Sequence, residues 1–136
     1  MEQIDFLQLR FGLPANWLEG LELLKEQETI FVGTSDVMQF DKLRPLRRGM
    51  RLCRIFPHSV KPTTFAMQIL GKKAMKNRIE VNDEQAKGLI NGSSIEIDAA
   101  VENGFVLIVW QGLVLGVGLY KKPLLKSHIP KVRPVE

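Results

Sequence analysis

The side chains best equipped for chemistry in this chain are its cations, and they are unevenly spaced. From Lys42 to Arg78 there are eleven Lys or Arg residues and no Asp or Glu. A second acid-free stretch adds Lys121, Lys122, Lys126, Lys131 and Arg133. Sixteen of the nineteen cations therefore sit in two runs that exclude all fifteen acids, a segregation that the net charge of +4 understates. One-sided positive fields attract polyanions; a pair of merely solvated basic faces is the alternative. Within the runs, Arg44, Arg47, Arg48 and Arg51 cluster beside Gly49, and a guanidinium fork can grip phosphate with two hydrogen bonds. Lys72, Lys73, Lys76 and Arg78 form a second group, Lys121, Lys122, Lys126 and Lys131 a third, with Lys61 between the first two. Three such groups suit a groove that follows a nucleic-acid backbone, where phosphate contacts give affinity and register but little sequence information.

Other chemistry finds less support. Cys53 is the sole cysteine, so one chain can form neither a disulfide nor a thiolate metal cluster. Leu52 and Ile55 suggest that it sits in a strand as a small hydrophobe, although Arg51 and Arg54 could activate the thiol. His58 and His128 have no second histidine at helical spacing, so no metal site is expected. His128, in the basic tail, could titrate near neutrality and add charge beside a phosphate. Ser35-Asp36 and Ser93-Ser94 read as turn and cap residues, and Asp83-Glu84 as the acidic opening of a helix. Trp110 and Tyr120 are the aromatics to test for stacking on a base, but a structural role is the expectation for each. The expectation is a protein without catalytic residues, metal or cofactor.

The elements that would position these cations follow from periodicity. With 136 residues, 45% hydrophobic and 25% charged, the chain fits one compact domain or two small ones sharing a core. No apolar run approaches the roughly 20 residues that span a bilayer. Met1 to Asp5 is acidic where a signal peptide needs positive charge, so a soluble, cytoplasmic protein is expected. Ile4, Leu7 and Phe11 predict a helix ending at Gly12; Pro14, with Trp17, Leu21 and Leu24, predicts a second. Glu28–Thr34 and Arg51–Phe56 read as strands, and Asp41 as the cap of a short helical turn. The prolines of Pro57–Pro62 suggest a stiff connection. Thr63 or Thr64 caps a helix whose Phe65, Ala66, Ile69 and Leu70 face the core, and Arg78–Val81 is a short strand. Asn82 and Gln85 form a capping box for a helix that buries Ala86, Leu89 and Ile90 and ends at Gly92. Asn103-Gly104 and Gln111-Gly112 are hairpin signals around the run Phe105–Trp110. Gly116 and Gly118 mark a bend or close approach in the last long strand.

These elements in this order resemble a known family. The strand Arg78–Val81, the helix ending Gly88–Gly92, the run Asn103–Ile108, the stretch Leu115–Leu119 and the tail Leu124–Lys131 resemble the C-terminal PUA-like RNA-binding domain of RsmF-type and Sun/Fmu-type RNA cytosine-5 methyltransferases. Phe6–Pro14, Arg48–Leu52 and Lys61–Thr64 resemble the segment preceding that domain. The resemblance implies an α+β fold: a small N-terminal α/β, pre-PUA-like part over residues 1–60, then a PUA-like mixed β-barrel over residues 61–136. It also implies that the helix-to-strand turn, with Lys87, Gly92 and Ser93, approaches RNA. The catalytic domain of those enzymes has no counterpart here, since Cys53 follows Leu52 rather than proline and Gly116-Val117-Gly118 continues as strand.

The reading that results is a stand-alone, non-catalytic RNA-binding module for structured rRNA or tRNA, acting in ribosome maturation or RNA modification. A methyltransferase or ribosome-assembly protein would be its partner in trans. The alternatives are an accessory subunit that docks its basic face on an acidic protein, and a small-molecule enzyme of the PUA-like superfold.

Overall fold

The computed structural model describes residues 1–34 and 49–131. Helix α1 (Glu2–Phe11) is built on the expected stripe: Ile4, Leu7 and Phe11 are buried, and Gly12 closes it in the left-handed region at φ 59. The second helix does not form. Residues 14–21 make short turns, in which Trp17, Glu19 and Leu21 donate their N–H groups to Pro14, Asn16 and Leu18. The chain then enters strand β1 (Glu22–Glu26). Its Glu, Leu and Lys residues favour helix, but pairing with β2 (Thr29–Gly33) overrides that preference, setting Leu23 opposite Val32. As the edge of the sheet, β1 carries charges that suit solvent exposure.

Strands β3 (Met50–Phe56) and β4 (Ser59–Pro62) complete an antiparallel sheet in the order β1-β2-β3-β4. The expected connection before Thr63 is thus largely strand, with Cys53 opposite Pro62 and Arg54 opposite Lys61. Against β2 the register slips: Ile30 faces Cys53 but Phe31 faces Arg51, leaving Leu52 as an extra residue. This bulge buries Leu52 and Cys53 together and leaves Arg51 and Arg54, three positions apart, both exposed.

Helix α2 (Thr64–Leu70) is tied down at its start. The Thr63 hydroxyl accepts the Ala66 N–H at 3.3 Å and donates to the Arg51 carbonyl, while Thr64 Oγ1 accepts the Val117 N–H at 3.1 Å. With both threonines anchored, the helix buries Ala66 and Met67 and turns Phe65 and Ile69 outward, each 60% exposed. This corrects the expectation that Phe65 and Ile69 face the core.

After a 3-10 turn (Gly71–Lys73) come β5 (Arg78–Glu80) and α3 (Asp83–Ile90). The Asn82–Gln85 capping box is present and Gly92 is left-handed at φ 87, as expected. Ile90, expected inside, is exposed. Strands β6 (Ser94–Glu96), β7 (Gly104–Trp110), β8 (Leu113–Lys121) and β9 (Leu124–Ser127) join β5 in a sheet ordered β5-β7-β8-β9-β6. Only β5 and β7 run parallel among these pairs. The sheet curls into a half-barrel, so the α+β class with a mixed, PUA-like barrel is borne out.

Gln111-Gly112 makes the β7–β8 turn with φ 48 and 78, the left-handed pair that a two-residue hairpin needs. Asn103-Gly104 does not form a hairpin. Gly104 opens β7 opposite Tyr120, and Asn103 Oδ1 accepts the Lys122 N–H. The segment before it is irregular and clamped by Arg10, whose guanidinium donates to the carbonyls of Phe105 and Glu102. A Cβ on Gly116 would come within 2.6 Å of Ile129 and 2.8 Å of Thr64 Oγ1, so bare backbone here lets α2 and the tail press onto β8.

Strand β7 is buried on both faces, which explains its unbroken apolar run. Leu107 and Val109 join a core with Phe11, Ile30, Leu52 and Met67. Val106 and Ile108 join a second with Leu89, Tyr120 and Leu125. The first core is shared by the N-terminal sheet and the half-barrel, and it fixes the groove between them.

Candidate nucleic-acid interface

Where β3 and β4 meet the start of α2 and the tail after β9, the surface opens into a cavity of about 500 Å³. Arg51, Arg54, Lys61 and His128 line it, with Thr63, Thr64 and Phe65, and no described lining residue is a carboxylate. The bulge in β3 aims both arginines here. Arg54 was missing from the sequence-derived set, which grouped Arg51 with Arg44, Arg47 and Arg48; strict alternation would place Arg54 on the face opposite Arg51. Its guanidinium carbon also lies 5.5 Å from the Phe56 ring centroid, a stacking that holds the fork in place.

Lys61 is opposite Arg54 across the strand pair. Burial, and then the arginine's charge, hold its ammonium below the ordinary lysine range. Like charges directly opposite destabilise a strand pair; an anion between them relieves the repulsion. His128 is likewise pushed down by burial, then by Lys61 and Lys126. Its ring meets Phe105 edge-on at 5.8 Å, and no described group hydrogen-bonds its buried Nε2. It is therefore neutral at neutral pH rather than a standing cation.

A depressed histidine pKa means that the unfolded chain takes up a proton first. The stability His128 contributes is present above about pH 6.5 and is lost as pH falls through its lower folded value. Urea midpoints should accordingly drop on acidification below pH 6.5, and His128→Gln should flatten that drop.

A second cavity of about 620 Å³ adjoins the first, sharing Thr64, Phe65 and Pro130 and reaching Ile90, Asn91 and Lys131. It too lacks a carboxylate among its described lining residues. The aliphatic end of Lys131 lies across Gly92, where a Cβ would come within 2.8 Å of its Cε. Gly92, Ser93 and Lys131 therefore converge at the end of α3, and Lys126 pairs with Ser94 one strand over.

The remaining candidates lie elsewhere. Lys72 and Lys73 border a groove with Trp17 and Glu19. Lys76, Arg78 and Lys122 border another with Glu102, and Lys122 is paired with Asp98 at 3.2 Å. Lys87 is exposed on α3, and Lys121 at the end of β8. Arg44, Arg47 and Arg48, like Ser35-Asp36, Asp41 and Arg133, lie outside the described residues. Tyr120 cannot stack on a base, since it is fully buried and its hydroxyl donates to Ile97 O and accepts from Ala99 N–H. Trp110 donates to Asp83 at 2.8 Å, a structural tie. Burial pushes the Cys53 thiol up to about 11, so its arginine neighbours do not activate it. No group of three or more His, Cys, Asp or Glu side chains among the described residues is placed to hold a metal ion.

Residues 76–133, which include the half-barrel and α3, match the family model of the methyltransferase RsmF PUA domain. That segment has a PUA-like fold and is similar to that domain. The chain is also similar to the ribosomal RNA small subunit methyltransferase F of Shewanella oneidensis, with 32% identity over 91 residues. That alignment covers 66% of this chain and 19% of the relative, so the chain spans about a fifth of that enzyme's length. The aligned stretch is longer than the PUA-like domain itself, which bears out the resemblance noted in the sequence. Within residues 76–133, His128, Pro130 and Lys131, with Ile90 and Asn91 at the end of α3, form one wall of the acid-free groove. The β3–β4 hairpin of the preceding sheet forms the other.

Proposed function

We propose that this protein is a non-catalytic module that binds structured RNA, ribosomal RNA before transfer RNA, through the groove between its N-terminal sheet and its PUA-like domain. The observation that carries this reading is the like-charged pair Arg54–Lys61, facing each other in a cavity without carboxylates. Neighbouring lysines and arginines are tolerated when a polyanion lies between them. The match to a PUA domain of an RNA methyltransferase and the name of the ribosomal RNA enzyme support RNA as that polyanion. Its role would be to position RNA for modification or ribosome maturation, with an RNA methyltransferase as partner.

Fluorescence anisotropy with labelled fragments of small-subunit rRNA, tRNA and duplex DNA of equal length tests this. Four phosphate contacts, from Arg51, Arg54, Lys61 and Lys131, predict that log affinity for RNA falls with log salt at a slope of about −3. Equal affinity for RNA and DNA, with a shallow salt response, would reject the reading.

A further inference from the structure

Phe65 has the features of a contact residue rather than a core residue. Of the three residues that border both acid-free cavities, Thr64, Phe65 and Pro130, it has the largest side chain. It is 60% exposed even though its helix neighbours Ala66 and Met67 are fully buried. On one side of it lie Arg51, Arg54 and Lys61, and on the other Lys131. Pro130 borders the same two cavities and supplies a second flat apolar surface. An exposed aromatic ring with three cations in the cleft on one side and Lys131 in the cleft on the other matches the chemistry of a single-stranded nucleic-acid platform. The ring takes a base face, and cations on either side take the phosphates before and after it.

We propose that the groove binds RNA at an unpaired nucleotide, whose base stacks on Phe65 while its flanking phosphates are held by Arg54 and Lys61 on one side and Lys131 on the other. The proposal rests on the RNA-binding reading above and narrows its substrate to a loop, bulge or single-stranded end. In a continuous duplex the base faces are stacked on one another and closed to a side chain. Base recognition by stacking is tolerant of sequence, because every base has a π-face. Selectivity would then come from the availability of an unpaired base and from the cations on either side of it.

The test compares three RNAs of equal length: a single strand, a fully paired hairpin stem, and the same stem with one bulged 2-aminopurine. The expected result is tighter binding of the single strand and the bulge than of the stem, with quenching of 2-aminopurine fluorescence on binding. Stacking is worth roughly 1–3 kcal/mol per base. Phe65→Ala should therefore weaken bulge binding by about tenfold or more and abolish the quenching, whereas Phe65→Trp should restore both. Ile69→Ala, equally exposed on the same helix, should change neither. Because Phe65 is on the surface, its loss should leave the melting temperature unaltered.

If Phe65→Ala binds the bulge as wild type does, while charge reversal at Arg54 and Lys61 abolishes binding, the stacking proposal is overturned and RNA binding stands. If charge reversal also leaves RNA affinity intact, the RNA-binding reading fails with it. Wild-type affinity for RNA in Phe65→Ala, together with loss of a protein partner, would assign the ridge to protein contact and likewise overturn the proposal.

Discussion

Replacing Arg54 and Lys61 together with glutamate is expected to lower RNA affinity by about a hundredfold, roughly tenfold per lost phosphate contact at 1.4 kcal/mol each. The salt slope should become shallower by between one and two units, as two counterion-releasing contacts disappear. The pair faces each other across β3 and β4, so glutamate at both positions keeps a like-charge pair in the same register and inverts only the sign of the field. Folding stability should therefore stay close to wild type, and a matching urea midpoint would confirm that binding alone has changed. Lys72→Glu with Lys73→Glu serves as the comparison. These lysines share a separate groove with Glu19, and their reversal should cost less than about threefold at physiological salt, where screening acts over about 8 Å. Equal losses in the two double variants, measured by anisotropy on the same rRNA fragment, would show that general positive charge binds RNA and that the groove has no special part.

The difference between those lysines and the groove marks where linear reading stops. The segregation of cations from acids is a property of the string and was legible there. The grouping into surfaces was not, because neighbours in sequence separate and distant residues meet. Lys131 reaches Gly92 across the end of α3, and Lys61 meets Arg54 through a hairpin in a stretch whose prolines suggested a connection. Arg54 itself depends on the β3 bulge, which only the register with β2 reveals. Phe65 looked like a core residue because the apolar pattern of α2 fits more than one rotation. What fixes the rotation is the bonding of Thr63 to β3 and Thr64 to β8, two contacts with partners distant in the chain.

Fold features governed by local chemistry were read correctly. The stripe of α1, the Asn82–Gln85 capping box, the left-handed Gly92 and the Gln111-Gly112 turn each need only a few adjacent residues. The segment Glu22–Glu26 shows the opposite case. Its composition favours helix, yet a strand at the sheet edge gains a full ladder of hydrogen bonds with β2, whereas an isolated helix of that length is marginal. Asn103-Gly104 failed as a hairpin signal for a similar reason. Its partner strand β8 lies later in the chain, and Asn103 spends its side chain on the backbone of Lys122.

Tyr120→Ala is expected to destabilise the protein by about 3–5 kcal/mol, the range for removing a large buried aromatic side chain. Tyr120→Phe isolates the polar share. The hydroxyl donates to Ile97 O at 2.9 Å and accepts the Ala99 N–H at 3.1 Å, so its loss strips partners from two backbone groups and should cost about 1–3 kcal/mol. Both bonds hold the irregular chain after β6 against β8, and that chain leads through Glu102 to the clamp made by Arg10. Urea denaturation would give both costs. RNA affinity separates this structural role from stacking, because a phenyl ring stacks on a base as a phenol ring does. Tyr120→Phe should bind RNA like wild type for either role, but Tyr120→Leu keeps apolar volume and removes the aromatic face. Folded Tyr120→Leu with wild-type RNA affinity places Tyr120 in the core alone. A loss of affinity in that folded variant would return Tyr120 to the interface and require the β8–β9 end of the half-barrel to open when RNA binds.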